Sequence, residues 1–468
     1  MTEIESMTVA DLVRNYRRGD LSPVEVTKDV LDRIDRFEPD INAFVVVDRD
    51  GALAAARESE ERWRRKDPRS AVDGVPATVK DNVVAKGLPC RRGSATTGDE
   101  RAADDAPASA RLRESGAPIL GKTTLPEFGW IGACHSPLTG ITRNPWNLDH
   151  TPGGSSGGAA AAALLNLGWL HIGTDGAGSI RIPAAFTGIF GIKPSFGRVP
   201  AYPASPFSAL AHLGPLSRTV ADAAAMLSVI GRPDARDMTA WNTEPPDYRI
   251  GLDDGVRGLR IAWSPRLGYV DRVDPEIAEA TAKAARVFEE LGAHVEEVDP
   301  GLPDSAEMIR VLWYAVSANI VDQVPEPERA KMDPGFLRIA DYGRRYGIAD
   351  WFWAYTRRAE LANIMVRFHE RYDLLLTPQM PVPALEAGYE APAGGAYGEQ
   401  WVEWSPFTYP FNMTQQPAAS VPCGFTAKGL PIGLQIVGPA REDALVLRAA
   451  RAFESARPFV TLAAPKLR

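Results

Sequence analysis

Residues 151–163 read TPGGSSGGAAAAA, and residues 173–200 read GTDGAGSIRIPAAFTGIFGIKPSFGRVP. Each stretch opens with a turn that is rich in glycine and carries serine. Between the two turns, the apolar run over 159–167 predicts a buried helix, and residues 169–172 predict a strand. Because the turns flank this helix–strand unit, both serines can meet at one edge of a sheet.

Short apolar runs alternate with helical patterns on both sides of this segment. Such alternation predicts an α/β fold with a mixed or largely parallel sheet. The first of these predicted strands ends at Lys80. The runs that predict strands cover residues 75–79, 118–120, 374–376, 418–422 and 432–437, and a last helix is predicted over 442–454.

The N-terminal part of the chain is predicted to be mainly helical. Ser22 and Glu25 have the spacing of a capping box, with proline at the first helical position, so a helix is expected to begin there. Residues 52–65 predict a further helix, after a strand over 41–47. The stretch 245–372 is richer in helix formers and charge, and it carries the fewest motifs.

Composition narrows the class of protein. The chain has 468 residues, of which 45% are hydrophobic and 24% charged, as is typical of large globular proteins. The net charge of -8 argues against a nucleic-acid partner, and the three cysteines fit neither a disulfide framework nor a zinc pattern. The N-terminus lacks the apolar core of a secretory signal, and no apolar run is long enough to cross a bilayer. We therefore expect a cytoplasmic protein that does not associate with membranes.

One local motif suggests a different class of protein. Residues 116–123, GAPILGKT, match the phosphate-binding P-loop, which requires a strand before the loop and a helix after it. Here residues 108–115 have a helical pattern, and Pro126 discourages a helix directly after Thr123. This context favours a helix–strand connection, and a P-loop nucleotide-binding protein stays as the remote alternative.

A second motif is the nucleophile elbow, G-x-S-x-G, which matches at Ser155 and again at Ser156. An elbow follows a strand, whereas residues 144–152 are turn formers. It also requires a catalytic histidine later in the chain. No later histidine has a recognisable catalytic context, so we interpret them as ordinary core or surface residues. They are His171, His212, His294 and His369.

Taken together, the two quoted stretches resemble the amidase signature family, the Ser–cis-Ser–Lys hydrolases. Further blocks match in the same order, and only residues 245–372 match loosely. The chain is identified as a member of the small-molecule amidase branch. The further blocks are DGVPATVKDN (73–82), ILGKTTLPEF (119–128), NPW (144–146), PLSRTVADAAAML (215–227), QPAASVPCG (416–424) and GLPIGLQIVG (429–438).

The resemblance implies a single large α/β domain over residues 1–468, with a central mixed sheet covered by helices on both faces. Within it we expect a helical region over 1–70 and the signature core over 71–240. A more variable, helical region over 245–400 is expected to determine substrate specificity. Residues 401–468 are expected to return to the core as strands and a helix.

The resemblance also assigns the catalytic groups. Ser179 is implied as the nucleophile, Ser155 as the bridging residue with a cis backbone, and Lys80 as the base. A serine hydroxyl needs a neighbour to take its proton, and a lysine can do so only when burial lowers its pKa. Ser155 can pass the proton between them, because a hydroxyl both donates and accepts.

Four neighbouring residues are expected to be structural. Ser156 is expected to cap the helix over 159–167. Asp175 and Arg181 flank the nucleophile and are expected to hold its loop. Asp81 adjoins Lys80, but side chains alternate along a strand, so it is expected to point elsewhere.

The second serine turn is expected to supply an oxyanion hole. The backbone N–H groups of Gly176, Ala177, Gly178 and Ser179 follow one another there. Ala177 stands where the family usually has glycine. If that position requires a positive φ, alanine would be strained and the hole would differ in geometry.

The implied reaction is hydrolysis of a carboxylic amide through a Ser179 acyl-enzyme, without metal or organic cofactor. The expected substrate is a small apolar, aryl or acyl amide, with esters and carbamates as further candidates. Gly129, Trp130 and Ile131 are implied as the pocket wall, and family habit suggests a homodimer. The alternative is the glutaminase component of a tRNA-dependent amidotransferase, which the aromatic C-terminal half argues against. We interpret most of the late tryptophans as packing; they are Trp313, Trp351, Trp353, Trp401 and Trp404.

Overall fold

The computed structural model describes residues 3–460. Its strands are short, and most of them coincide with the apolar runs of the sequence. In chain order they are β1 (Phe44–Val47), β2 (Ala77–Lys80), β3 (Ile119–Thr123), β4 (His135–Ser136), β5 (Gly140–Ile141), β6 (Leu170–Asp175), β7 (Phe190–Lys193), β8 (His212–Ser217), β9 (Arg260–Trp263), β10 (His294–Glu297), β11 (Leu374–Pro378), β12 (Ala418–Phe425) and β13 (Pro431–Val437).

Eleven of these strands form one mixed sheet, in the order β1-β3-β2-β6-β8-β7-β12-β13-β11-β9-β10, and β4 pairs with β5 alone. β2 lies parallel to β3 and β6, and β9 lies parallel to β10 and β11. The other neighbouring pairs in the sheet are antiparallel. The predicted α/β fold with a central mixed sheet is therefore confirmed.

Helices cover both faces of this sheet. On β13, Leu434 and Ile436 face one core, whereas Gln435 between them reaches Arg181 on the other face. The helices are α1 (Glu3–Ser6), α2 (Val9–Arg18), α3 (Pro23–Ile41), α4 (Arg49–Arg64), α5 (Pro107–Glu114), α6 (Gly157–Leu164), α7 (Arg181–Thr187), α8 (Val220–Ile230), α9 (Pro275–Glu290), α10 (Ala306–Asp322), α11 (Pro334–Gly343), α12 (Ile348–His369), α13 (Pro410–Met413) and α14 (Asp443–Ala456).

The start of the first long helix is determined by a capping box, as the sequence predicted. α3 begins at Pro23, where the Ser22 hydroxyl accepts the Glu25 N–H and the Glu25 carboxylate accepts the Ser22 N–H, as predicted. The region 245–400 contributes β11 to the sheet, as the apolar run over 374–376 predicted, and also β9 and β10, which were not predicted. Residues 1, 2 and 461–468 of the expected domain lie outside the described residues. Within residues 3–460, no helix combines the length and the apolar character that crossing a membrane requires.

The segment that matched a P-loop has the reverse order of elements. It runs from the end of α5 into β3, so a helix precedes the loop and a strand follows it. Lys122 lies within β3, where it is buried and its Nζ is 3.3 Å from Asp81 Oδ1. The predicted helix–strand connection is confirmed, and Asp81 points away from Lys80 as expected.

Candidate active site

The three predicted catalytic residues lie at one edge of the sheet. Lys80 is the last residue of β2, and Ser179 lies in the turn between β6 and α7. Because β2 and β6 are parallel neighbours, their carboxyl ends meet at the same edge. Ser155 lies in the turn that leads into α6, next to this edge.

Lys80 is fully buried among hydroxyl groups. Its Nζ lies 2.7 Å from Ser155 Oγ, 2.9 Å from Ser156 Oγ and 2.9 Å from Thr174 Oγ1. Burial lowers the pKa of Lys80 from 10.5 to about 7, against smaller opposing effects of Cys134 and Asp175. Near neutral pH, this amine can therefore act as a proton acceptor.

Ser156 holds Lys80 and does not cap the helix. Its hydroxyl donates to the Thr174 carbonyl at 3.1 Å and accepts the Thr174 N–H at 3.2 Å, in addition to its contact with Lys80. The prediction of a helix cap is wrong, because the Ser156 side chain makes no capping hydrogen bond to α6. The serine hydroxyl binds the neighbouring strand instead.

Ser155 and Ser179 face the same cavity. The peptide bond between Gly154 and Ser155 is cis, as the resemblance implied. The exposed fraction is 3% for Ser155 and 7% for Ser179, and both residues line a cavity of about 480 Å³. Lys80 thus touches Ser155, and Ser155 shares the cavity with Ser179.

The turn before Ser179 presents backbone N–H groups of two kinds. The Gly178 N–H donates to Asp175 Oδ1 at 2.7 Å and is therefore occupied. Within residues 3–460, the N–H groups of Gly176, Ala177 and Ser179 have no protein acceptor. The left-handed backbone falls on Gly178, with φ of +124°, and Ala177 does not have a positive φ. Alanine at position 177 therefore does not have the backbone strain that a positive φ would have caused.

A buried ion pair fixes this turn. The Arg181 Nε lies 3.0 Å from Asp175 Oδ2, and both side chains are fully buried. Asp175 also accepts the Ile180 N–H and the amide of Asn412. Burial raises the pKa of the Asp175 carboxyl, but Arg181, Lys193 and Asn412 together outweigh this effect and hold that pKa below its ordinary value. Asp175 and Arg181 hold the loop, as predicted.

Comparison with known proteins shows the family of the chain. The profile of the family described as Amidase matches residues 25–447. The chain belongs to the amidase family. It is 37% identical to an acylamidase of Rhodococcus erythropolis over 98% of both chains. It is 36% identical to one component of the glutamyl-tRNA(Gln) amidotransferase of Myxococcus xanthus, over 99% of this chain and 100% of that protein.

Solved structures give the same result. The structure of a bacterial aryl acylamidase of the amidase signature family matches with a TM-score of 0.89 at 32% identity, covering 97% of this chain and 96% of that one. The resemblance to amidase signature enzymes is confirmed. The chain is an amide-hydrolysing enzyme of this family.

The implied pocket wall of this family member is only partly present at the cavity. Gly129 lines it, and a Cβ at this position would lie 3.0 Å from Ser155 Oγ. Trp130 and Ile131 are buried, and neither is among the described residues that line the cavity. The positive φ of Gly129 turns the chain, so Trp130 packs against Gly335 instead. Phe128, on the other side of the turn, takes the place at the wall.

An aromatic pair lines the cavity beside the turn that contains Gly176. Phe207 stacks on Trp313, with ring centroids 3.9 Å apart, and both residues line the cavity. The Trp313 ring lies so close to Gly176 that a Cβ there would be 2.8 Å from Cζ3. The sequence indicated Trp313 only as one of five late tryptophans. It carried no signal for Phe207, or for Thr174 beside Lys80.

Proposed function

We propose that the protein hydrolyses small amides that carry an apolar or aromatic group, through an acyl-enzyme on Ser179. One observation carries this proposal: the buried Lys80 Nζ lies 2.7 Å from Ser155 Oγ, at a cavity that Ser179 also lines. A neutral lysine that contacts one serine hydroxyl, at a cavity that a second serine also lines, is an arrangement that can activate a nucleophile.

The hydrogen bonds around Lys80 set the direction of proton transfer. A neutral lysine amine has two hydrogens and one lone pair. The hydrogen of the Ser156 hydroxyl goes to the Thr174 carbonyl, so Ser156 can only accept from Lys80. If Thr174 Oγ1 accepts the second hydrogen, the lone pair faces Ser155. The Ser155 hydroxyl then donates to Lys80 and is free to accept the proton of Ser179.

We propose the following steps from this arrangement. Ser179 Oγ attacks the amide carbonyl carbon while its proton passes to Ser155, whose own proton passes to Lys80. The N–H groups of Gly176, Ala177 and Ser179 stabilise the oxyanion. When the tetrahedral intermediate collapses, the proton returns through Ser155 to the leaving amine. Water then attacks the ester on Ser179 and releases the acid.

The cavity wall supports an apolar or aromatic substrate. Phe128, Phe207 and Trp313 line a volume of about 480 Å³, which lies in the range of small-molecule sites. The acylamidase and the aryl acylamidase among the relatives support the same class of substrate. The amidotransferase component is nearly as similar, at 36% identity, but the glutaminase alternative for this chain does not explain the aromatic wall. Esters and carbamates stay as candidates, and a homodimer and a cytoplasmic location stay predictions.

A panel of substrates tests this function. We expect amine release from an aryl anilide or a fatty acyl amide to exceed ammonia release from glutamine by about 100-fold in kcat/KM, because only the former fill an apolar pocket. The panel should include an aryl carbamate, and the Ser179→Ala variant provides the blank. Turnover of glutamine with none of the anilide would contradict the proposal and favour the glutaminase alternative.

The acid limb of the pH profile should report the titration of Lys80. Only the neutral amine can accept a proton, so kcat/KM is expected to fall tenfold per pH unit below about 7 and to level off above it. Burial, together with Lys193, lowers the pKa of His212 well below its ordinary value, so this cavity residue stays neutral throughout. A limb near 10.5, the ordinary pKa of lysine, would show that Lys80 is not desolvated in solution.

A further inference from the structure

Arg92 is the charged side chain at the cavity that has no partner among the described residues. Of the residues that line the cavity within 3–460, only Arg92 and Asp175 carry a formal charge, and Asp175 is neutralised by Arg181. The Arg92 side chain is exposed, and within residues 3–460 it makes no ion pair, hydrogen bond or ring contact. The cavity therefore presents one uncompensated positive charge.

The backbone of Arg92 is held in an unusual conformation. Its φ of +53° is left-handed, which costs a non-glycine residue about 1 kcal/mol and persists where the surroundings impose it. The Arg92 N–H donates to the Asp81 carbonyl at 3.3 Å, and its carbonyl accepts the Phe128 N–H at 2.8 Å. The Arg92 side chain therefore extends from a backbone whose N–H and carbonyl are both held by hydrogen bonds.

These two backbone hydrogen bonds place Arg92 on the side of the cavity where the amine part of the substrate lies in the proposed mechanism. Asp81 follows Lys80, and Phe128 precedes Gly129, which packs against Ser155. In the proposed mechanism, the leaving nitrogen receives its proton from Lys80 through Ser155 and so lies on this side. Trp313 of the aromatic pair instead packs over Gly176, whose N–H holds the carbonyl oxygen in the proposed mechanism.

We propose that Arg92 binds a carboxylate on the amine part of the substrate, so that the preferred substrates are N-acyl amino acids. This inference rests on the proposed function. An arginine guanidinium matches a carboxylate with two parallel hydrogen bonds, and no carboxylate within residues 3–460 is paired with Arg92. The products are a carboxylic acid, formed from the acyl group and water, and a free amino acid.

Two substrates that differ only in the carboxylate test this inference. N-phenylacetyl-phenylalanine carries it, and N-phenylacetyl-2-phenylethylamine lacks it. We expect the native enzyme to prefer the first by about 10- to 100-fold in kcat/KM, the range of a charge-assisted hydrogen-bonded pair. In Arg92→Gln, this preference is expected to disappear, while turnover of the neutral substrate changes by less than about threefold.

Further variants keep the test decisive. Arg92→Gly removes the charge and accepts the positive φ without strain, so it should give the same loss even if Arg92→Gln folds poorly. Arg92→Lys should retain part of the preference, because it keeps the charge but not the two-pronged geometry. Arg101→Gln is the control, since Arg101 is exposed near the same loop and donates to the Gly87 carbonyl.

The outcomes separate this inference from the proposed function. If both substrates are hydrolysed in a Ser179-dependent way with no preference for the carboxylate, Arg92 has no role and the amide hydrolase stands. A preference that survives in Arg92→Gln and Arg92→Gly leads to the same conclusion. If neither these amides nor the neutral panel is hydrolysed, the proposed function itself fails.

Discussion

Replacing Ser179 with alanine is expected to lower kcat for amide hydrolysis by about 10⁴-fold or more. The variant keeps Lys80, Ser155 and the backbone N–H groups of the turn, but it has no atom to attack the carbonyl. Because Ser179 is 7% exposed and its side chain makes no hydrogen bond within residues 3–460, alanine should fit without loss of stability. The effect should therefore appear in kcat while the melting temperature stays unchanged.

Two measurements make the Ser179 prediction specific. Intact-mass analysis of the native enzyme with a slow aryl carbamate or ester should show one added acyl group, on the peptide that contains Ser179. Ser420→Ala is the matched control, since the Ser420 hydroxyl is buried on β12 and has no hydrogen-bond partner among the described residues. Activity that survives in Ser179→Ala would reopen Ser155 and Ser156 as nucleophiles, which the G-x-S-x-G match first suggested.

The proposed catalytic groups could be named from the sequence because each lies in a contiguous block that resembles the amidase signature family. Lys80 ends an apolar run, and the two serines lie in glycine-rich turns whose spacing fits a helix and a strand. The cavity wall could not be predicted in the same way. Phe207 and Trp313 are far apart in the sequence and meet only through tertiary packing, with ring centroids 3.9 Å apart.

Ser156 shows where a local rule fails. A serine directly before an apolar helix is a typical N-cap. Here its φ and ψ of -90° and 41° are not those of an extended cap residue, and its hydroxyl binds Lys80 and the backbone of Thr174. The buried Lys80 amine needs a hydrogen-bond partner, and this need overrides the preference of serine for a helix cap. It could not be predicted locally, because it arises only when β2, β6 and the turn before α6 come together in the fold.

The strands show the same contrast between features with a local sequence signal and features that depend on tertiary packing. The strands β3, β6, β12 and β13 are apolar and were predicted, whereas β10 at the sheet edge and its neighbour β9 were not. β10 has the sequence His294-Val-Glu-Glu297 and is mostly exposed, so it lacks the apolar signal of a buried strand. Edge strands are specified largely by the neighbour they pair with, which in this case is β9.

Replacing Lys80 with methionine is expected to reduce kcat/KM by about 10³-fold or more without lowering stability. Methionine fills a similar volume but accepts no proton. It also removes an amine whose pKa burial has lowered to about 7, so the free energy of unfolding should stay the same or rise. Residual activity should no longer show the acid limb near pH 7.

Lys122 is a second buried lysine and serves as the control for Lys80. Lys122 has its Nζ 3.3 Å from Asp81 Oδ1 and, within residues 3–460, hydrogen-bonds neither of the proposed catalytic serines. Lys122→Met leaves Asp81 without its partner, so it should lower the free energy of unfolding by about 3–5 kcal/mol. Its folded fraction should keep activity within about tenfold of the native enzyme. If Lys80→Met instead lost stability and kept activity, Lys80 would be a structural residue like Lys122, and the base would have to be sought elsewhere at the cavity.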